Sequence, residues 1–536
     1  MSCARVTVRR LGVAVAAVAA AAAWAAGVAG ATPKHDALLI RRGVTHALKR
    51  QWVKPADATR YRSDVAVASR DVAALPKLRA RVISAQLAQL AAIWDSYTAP
   101  RALALFSQLE QNLAYLETHA IPSQRVDVAG QDGVVYRWFP GQGLEFHPLA
   151  AFGALNAAAA AKNTQLAQTV ADALLARAIP HGRGLIWEYA FPFGFGRPPW
   201  ASGMAQAVAA QALARAGALL GDAALVDAAA RAYASVPPLV LTLPSGPWIR
   251  LYGFDGEVVL NAQLQTILSL LEYAGTSGDA AAAALAQQLG ATAQALLPRF
   301  DTGDWSLYEL GGGYAPRDYE LYVTNLLAKL AAVTRDPVWA AASQRFHAYY
   351  YDPPRVTQAT PPAPIYPQPR DGYLDAASIQ LTLSQRASVA LAVAGRMQTY
   401  RLSRGAHTLT WKPPTGLAAG TYPVQVSAVS YAGRRSTAKL APVVVRWDTA
   451  PPPVAAQLRG ATLSWQANDP GTPWLALKVA LVDPAGVAPP QTVDLGHQAT
   501  TGSATVTLPP GTWQASLQAT NSARLTTSYP LGTVTA

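Results

Sequence analysis

The chain has 536 residues, 51% of them hydrophobic and 14% charged, with a formal net charge of +13. That length and apolar content suit about two to four folded domains with their own cores and exclude a disordered chain. The one cysteine, Cys3, stands ahead of an N-terminal apolar run, so the rest of the chain has no disulfide, no cysteine nucleophile and no zinc–thiolate site.

Residues 1–31 read as a secretory signal. Arg5, Arg9 and Arg10 form a basic start, Leu11 to Val28 is apolar, and Ala29-Gly30-Ala31 offers small residues for cleavage before Thr32. The expectation is a secreted or cell-surface protein. A twin-arginine signal and an uncleaved anchor are the alternatives, because the apolar run is almost long enough to span a bilayer.

Charge is unevenly placed. Residues 375–536 hold twelve Lys/Arg and five Asp/Glu, a net +7, whereas residues 32–374 carry only +3. This excess serves general solubility or attracts an anionic glycan. No compact basic and aromatic stripe points to nucleic acid.

Residues 36–120 read as helices, with apolar residues at three- and four-residue spacing from Pro76 to Trp94 and Pro100 in the first turn of the helix that follows. From 121 to 352 a unit recurs: a short aromatic-rich extended segment, then two amphipathic helices. The segments contain Trp138, Trp187, Trp248 and Trp305, spaced by roughly 50 to 60 residues. The helix pairs are expected at 147–162 and 164–178, 200–217 and 222–235, 257–274 and 278–297, and 318–333 and 336–349. Stacked hairpins of this kind curve into an α/α toroid, here an incomplete one, with the extended segments meeting at one mouth. The four tryptophans serve as repeat-core residues or as stacking platforms for sugar.

Residues 353–374 are rich in proline and predict a stiff linker after a helical domain at 32–352. Beyond it the hydrophobic period changes to two, as in Ser378-Ile-Gln-Leu-Thr-Leu-Ser. Two small β-sandwiches of the immunoglobulin or fibronectin kind are expected, at 375–449 and 450–536. The whole is a multidomain, mainly α chain with a β tail.

Chemistry-bearing residues gather in the fourth extended segment, Phe300-Asp-Thr-Gly-Asp-Trp-Ser-Leu-Tyr308-Glu309, and just after it in Arg317-Asp318-Tyr319. Together with Pro198-Pro-Trp200-Ala-Ser202-Gly-Met204-Ala-Gln206 and Val259-Leu-Asn261, these motifs carry a resemblance. Over about 140–350 the chain resembles the C-terminal catalytic domain of D-glucuronyl C5-epimerases, which convert glucuronate to iduronate within heparan-type chains. Two departures stand out. The histidines that follow the family's second tyrosine are Glu320 and Val323 here, and Leu251 replaces an acidic residue beside Tyr252.

The resemblance implies an isomerase acting on a uronate-containing polysaccharide, without cofactor. The C5 proton of a uronosyl residue lies next to a carboxylate. Its removal needs a base on one face, donors for the enediolate, and an acid on the other face. Tyr308 and Tyr319 are the expected acid/base pair. A phenol with a free pKa near 10 needs a cation to act as base; Arg317 is nearest in sequence, and Arg137, Arg183 and Arg250 occupy equivalent segments. Tyr189, Tyr252 and Tyr322 are expected to contact substrate, as are Glu188 and Glu309, charged residues inside aromatic segments. Glu145 and His147 form a further pair, with His147 read as a helix cap before a base. The eight histidines show no metal-ligand spacing. A lyase or hydrolase on the same toroid, and a non-catalytic cell-surface glycan-binding protein, remain alternatives. The hydrolase would draw its carboxylates from Glu188, Glu309 and Asp318, and the basic tail would hold an anionic cell-surface glycan.

Overall fold

The computed structural model describes residues 32–536, so the expected signal at 1–31 lies outside the described residues. The chain divides into two compact units, the first ending at Tyr350 and the second beginning at Tyr351.

The first unit opens with helices α1 (Pro33–Lys49), α2 (Pro55–Ala74), α3 (Lys77–Ala92) and α4 (Ala99–Thr118). Proline occupies the first turn of α1, α2 and α4, where its missing N–H costs nothing, and the Thr32 hydroxyl caps α1 by accepting from the His35 N–H. The repeating unit follows. Strands β1 (Asp127–Ala129), β2 (Val135–Phe139) and β3 (Gly143–Phe146) form one small sheet ahead of α5 (Pro148–Ala160) and α6 (Thr164–Ala176). The hairpin β4 (Ile179–His181) and β5 (Gly184–Ile186) precedes α7 (Gly203–Leu220) and α8 (Ala223–Ala234). The hairpin β6 (Val240–Leu243) and β7 (Gly246–Ile249) precedes α9 (Leu260–Ser277) and α10 (Ala280–Phe300). In the fourth repeat isolated bridges, Asp301 with Ser306 and Leu307 with Tyr314, replace the hairpin ahead of α11 (Arg317–Thr334) and α12 (Pro337–Tyr351).

Local sequence explains where these helices begin and end. Asn163, Ser202, Asp222 and Asp279 each cap a helix with a side-chain oxygen. Gly221 and Gly278 terminate α7 and α9 in the left-handed region, which glycine enters without steric cost.

The first helices of the repeats, α5, α7, α9 and α11, pack side by side in succession, and α6, α8 and α10 cover them. This is the α/α toroid of helical hairpins that the spacing predicts. Helix α7 is buried almost all round, from Gly203 through Ala214, so its alanines let neighbouring helices approach on both sides. Trp138, Trp187, Trp248 and Trp305 are fully buried. Trp187 donates to the Leu174 carbonyl at 2.8 Å and Trp305 to that of Ala315 at 2.8 Å, while Trp248 stacks on Phe300. They are repeat-core residues and offer no face to a sugar. Each such ring contributes about 1.5–3 kcal/mol by burial.

The second unit holds two antiparallel sandwiches with separate cores. In the first, β10 (Ala387–Val393), β11 (Arg396–Leu402), β13 (Gly420–Ser430) and β14 (Arg435–Val445) pair in the order β11-β10-β13-β14. They face a sheet of β8 (Val356–Thr357), β9 (Ala377–Leu383) and β12 (Gly405–Trp411). The alternation in β9 buries Ala377, Ile379, Leu381 and Leu383 on one face. The second sandwich, from Val454 to Thr535, repeats the arrangement with three- and four-stranded sheets.

One boundary differs from expectation. Residues 353–374 are not a free linker. Val356 and Thr357 pair with Leu383 and Thr382, and buried Ile365 bridges Val445. Proline is tolerated because the segment runs along sheet edges, where missing N–H donors break no ladder.

Candidate active site

A cavity of about 670 Å³ opens where the first three extended segments converge with the start of α11. Each of the four supplies one wall.

The first wall is polar. Asp127 and Arg137 are direct partners across β1 and β2, which places the carboxylate against the guanidinium. Arg137 donates from Nε at 2.6 Å and from one terminal nitrogen at 2.7 Å to the two Asp127 oxygens, and this holds the Asp127 carboxyl below its usual range. Arg125 lies 5.6 Å over the Phe139 ring. His147 caps α5: its Nδ1 accepts from the Ala150 N–H at 3.1 Å, and its Nε2 stands 3.3 Å from the other terminal nitrogen of Arg137. Burial first, and then the Arg137 charge, push its pKa down to about 3, so the imidazole is neutral at physiological pH.

The second wall is aromatic. Tyr189 and Trp200 bridge as a two-residue ladder and stack with centroids 4.2 Å apart and planes 6° from parallel. Phe191 and Phe193 extend this surface. Burial raises the Tyr189 phenol well above its normal value.

The third and fourth walls bring in more phenols. Tyr252, Tyr319 and Tyr322 line the cavity with Asn261 and Asp318. The Tyr322 hydroxyl donates to Gln265 at 2.7 Å, and burial followed by the nearby Tyr319 pushes its pKa up to about 12. Tyr308 stands behind this surface. It meets Tyr319 edge to face and lies within electrostatic reach of Tyr252. Burial, reinforced by Tyr319, raises Tyr308, and burial reinforced by Tyr308 raises Tyr252. Arg137 is within electrostatic reach of both Tyr189 and Tyr319.

The structure thus brings Arg137, Tyr189, Tyr252, Tyr319 and Tyr322 to one cavity, with Tyr308 packed behind Tyr319. It places four other candidates elsewhere. Glu188 faces away from Tyr189 and binds Arg101 through two contacts of 2.9 and 3.0 Å. Arg250 donates to the Asp255 carbonyl at 2.7 Å and so braces its own loop. Arg317 lies over the Tyr350 ring at 6.0 Å. Glu309 pairs through its backbone with Val259 and packs under Gly312. None of the four lines the cavity. Arg183, on the turn after β4, does not line it either.

Sequence reasoning missed Arg125, Asp127 and the acidic group around Glu257. Burial, then Asp255 and Glu309, raise the Glu257 carboxyl to about 7, and it lies within electrostatic reach of Tyr252 and Tyr308. Glu145 is not a partner of His147. It is fully buried among Gln86, Gln89 and Gln108, whose amides donate to it at 2.7 to 2.9 Å. Of the two positions where the resemblance predicts histidines, Val323 packs in the core. Glu320 is buried and accepts from the Ser306 N–H at 3.0 Å, which anchors the fourth segment to α11. Neither faces the cavity.

The tyrosine walls carry the motifs from Pro198 to Tyr319. Residues 182–348 match the D-glucuronyl C5-epimerase C-terminus family. The match takes in Tyr189, Tyr252, Tyr308, Tyr319 and Tyr322, and leaves out Arg125, Asp127, Arg137 and His147. No curated protein sequence matches the chain significantly. Among solved structures, an endoglucanase from Komagataeibacter sucrofermentans aligns at 15% identity over 36% of this chain and 70% of its own, with a TM-score of 0.27. Endoglucanase Cel10 from Klebsiella pneumoniae, a family 8 glycosyl hydrolase, aligns at 15% identity over 38% and 74%, with a TM-score of 0.29. The fibronectin(III)-like modules of Clostridium thermocellum CbhA align at 15% identity over 33% and 92%, with a TM-score of 0.16. These likenesses do not bear on substrate or chemistry.

Proposed function

We propose that the first unit exchanges the C5 proton of uronosyl residues in an anionic polysaccharide, as a C5-epimerase does. The observation that carries this is the convergence of Tyr319, with Arg137 in electrostatic reach, and Tyr252 on one cavity, with Tyr308 against Tyr319 behind them. Arg137 supplies the positive charge that a phenolate at Tyr319 requires. Tyr319 takes the C5 proton, and the electron pair moves into the carboxylate to give an enediolate. Donors on the polar wall stabilise the new charge. Tyr308, kept protonated by burial, returns a proton to the other face through Tyr252. The reaction leaves the two phenols with exchanged protonation states, which solvent resets. Family membership of the matched segment supports this reading, and polysaccharide is the substrate class it implies.

We also assign the basic tail a glycan-holding role. Strands β10, β11, β13 and β14 contain no Asp or Glu, and Arg401, Arg435 and Lys439 are exposed on them. We read residues 1–31 as a secretory signal, so the protein is secreted or at the cell surface in this proposal.

A second reading is a non-catalytic glycan-binding unit, favoured by the raised Tyr252 and Tyr308 phenols. Incubation with heparosan-type and other uronate polymers in deuterated water separates the readings. Deuterium at C5 without chain cleavage supports exchange. Binding without deuterium supports the second reading. A new double bond or new reducing ends would instead indicate a lyase or a hydrolase.

A further inference from the structure

The polar wall contains a hydrogen-bonding conflict. A neutral imidazole has one N–H and one bare nitrogen. The bare one is Nδ1, because it accepts from the Ala150 N–H that starts α5. The proton therefore sits on Nε2, and Nε2 stands 3.3 Å from a terminal nitrogen of Arg137, which is also a donor. Two donors face each other at hydrogen-bond distance with no acceptor between them. The imidazole is buried, at 8% exposure, while the Arg137 side chain is 29% exposed and lines the cavity. Nε and one terminal nitrogen of Arg137 already donate to Asp127, both of whose oxygens are occupied by that pair. A buried donor without a partner is costly, so the Nε2–H favours an occupant that brings an acceptor.

We infer that His147 and Arg137 together form a carboxylate subsite, which selects uronosyl residues over neutral sugars of the same shape. One carboxylate oxygen accepts from the His147 Nε2–H and the other from the free terminal nitrogen of Arg137. Net charge does not do the selecting. Arg125 and Arg137 are matched on the cavity lining by Asp127 and Asp318, so recognition rests on oriented donors. Both residues lie outside the segment 182–348, so the family pattern does not assign them. The inference rests on the proposed function only for the class of sugar.

A site built around hydrogen bonds to one group discriminates strongly against an analogue that lacks it, by up to about 10⁴- to 10⁵-fold. Here the wall is partly open, and a preference of at least about a hundredfold is expected on that scale. The test uses the full chain labelled with ¹⁵N-histidine and two probes: a glucuronate-containing oligosaccharide, and the same oligosaccharide with its carboxyls reduced to alcohols. The first should bind and move the His147 Nε2–H resonance; the second should bind at least a hundredfold more weakly and leave it in place. In His147→Asn the shorter side chain can still cap α5 but does not reach the carboxylate. Its affinity for the glucuronate probe should drop at least tenfold, with little change for the reduced probe. Equal affinity of the wild-type protein for the two probes, an unmoved His147 resonance in the glucuronate complex, or no binding of either probe would overturn the inference. If the variant fails to fold, the wild-type spectra decide alone. Glucuronate binding with the His147 shift but without deuterium at C5 would instead overturn the catalytic reading and leave the subsite standing.

Discussion

The rings of Tyr308 and Tyr319 meet edge to face, with centroids 5.1 Å apart and planes at 89°. A contact of this kind is worth about 0.5–1.5 kcal/mol beyond burial and depends on the rings, not on their hydroxyls. Tyr308→Phe and Tyr319→Phe should therefore keep the melting temperature and the affinity for glycan close to wild type. Each should lower C5 deuterium exchange by about a hundred- to ten-thousand-fold, the usual cost of losing a general acid or base. Near-wild-type exchange in either variant would make that tyrosine a wall residue only.

Glu188 is a structural residue in this arrangement. Its ion pair with Arg101 is largely shielded, each side chain being 17% exposed. Glu188→Gln should lower stability by about 1–3 kcal/mol, because Arg101 loses its charged partner, and should leave turnover per folded molecule unchanged. Loss of activity without loss of stability would return Glu188 to the reaction and revive the hydrolase alternative.

Glu145 makes stability depend on pH in an unusual direction. Burial raises its carboxyl to about 8, and the three glutamine donors offset this only in part. The unfolded carboxyl titrates near its ordinary value of 4.5. Between these values the folded state binds more protons than the unfolded one, so stability falls as pH rises. The contribution is fully present below about 4.5 and is lost as pH passes about 8, at no more than about 1.4 kcal/mol per pH unit. Glu145→Gln should remove that slope. Melting curves of the two proteins from pH 5 to 8.5 should show the variant gaining on the wild type as pH rises; parallel curves would refute this.

The first unit should fold alone. The buried residues of its three hydrophobic clusters lie entirely between Ala37 and Phe346. A chain ending at Tyr351 should unfold in one cooperative thermal transition. A broad, featureless melt would mean that the β tail completes its core.

The basic tail should make glycan retention salt-sensitive. Charges on an exposed sheet are screened over about 10 Å at 0.1 M ionic strength. On an immobilised anionic glycan, the full chain should elute at higher salt than the chain ending at Tyr351. Changing Arg401, Arg435 and Lys439 together to Gln should bring most of that difference down. Identical elution of all three proteins would remove the tail from glycan binding.

The toroid was legible because its repeats carry a large, regularly spaced signal. Trp138, Trp187, Trp248 and Trp305 mark four equivalent core positions, and the helix pairs fall within a few residues of the expected bounds. Part of the cavity was legible for the same reason, since Tyr189 and Tyr252 sit in those segments. The misplaced residues share a cause, the direction of the side chain. Tyr189 and Glu188 are neighbours in extended backbone and so point to opposite sides. Tyr319 and Tyr322, three apart on α11, share a face from which Arg317 is turned away. Asp127 could not be read because its role comes from pairing with Arg137 ten residues later, a register fixed by the hairpin. In the tail, β11 and β14 begin with polar residues at sheet edges, where hydrophobic alternation is weak.

The division of the cavity between two stretches of chain has an evolutionary consequence. In the proposed reaction the residues that handle protons lie in the segment that matches the family, while Arg137 lies in a small sheet upstream, joined by short turns such as Gly130 to Val134. Turns of this sort accept insertions and substitutions more readily than packed helices do. A lineage could therefore exchange one sugar for another by rewriting β1 to β3 while the phenols pass unchanged from parent to descendant.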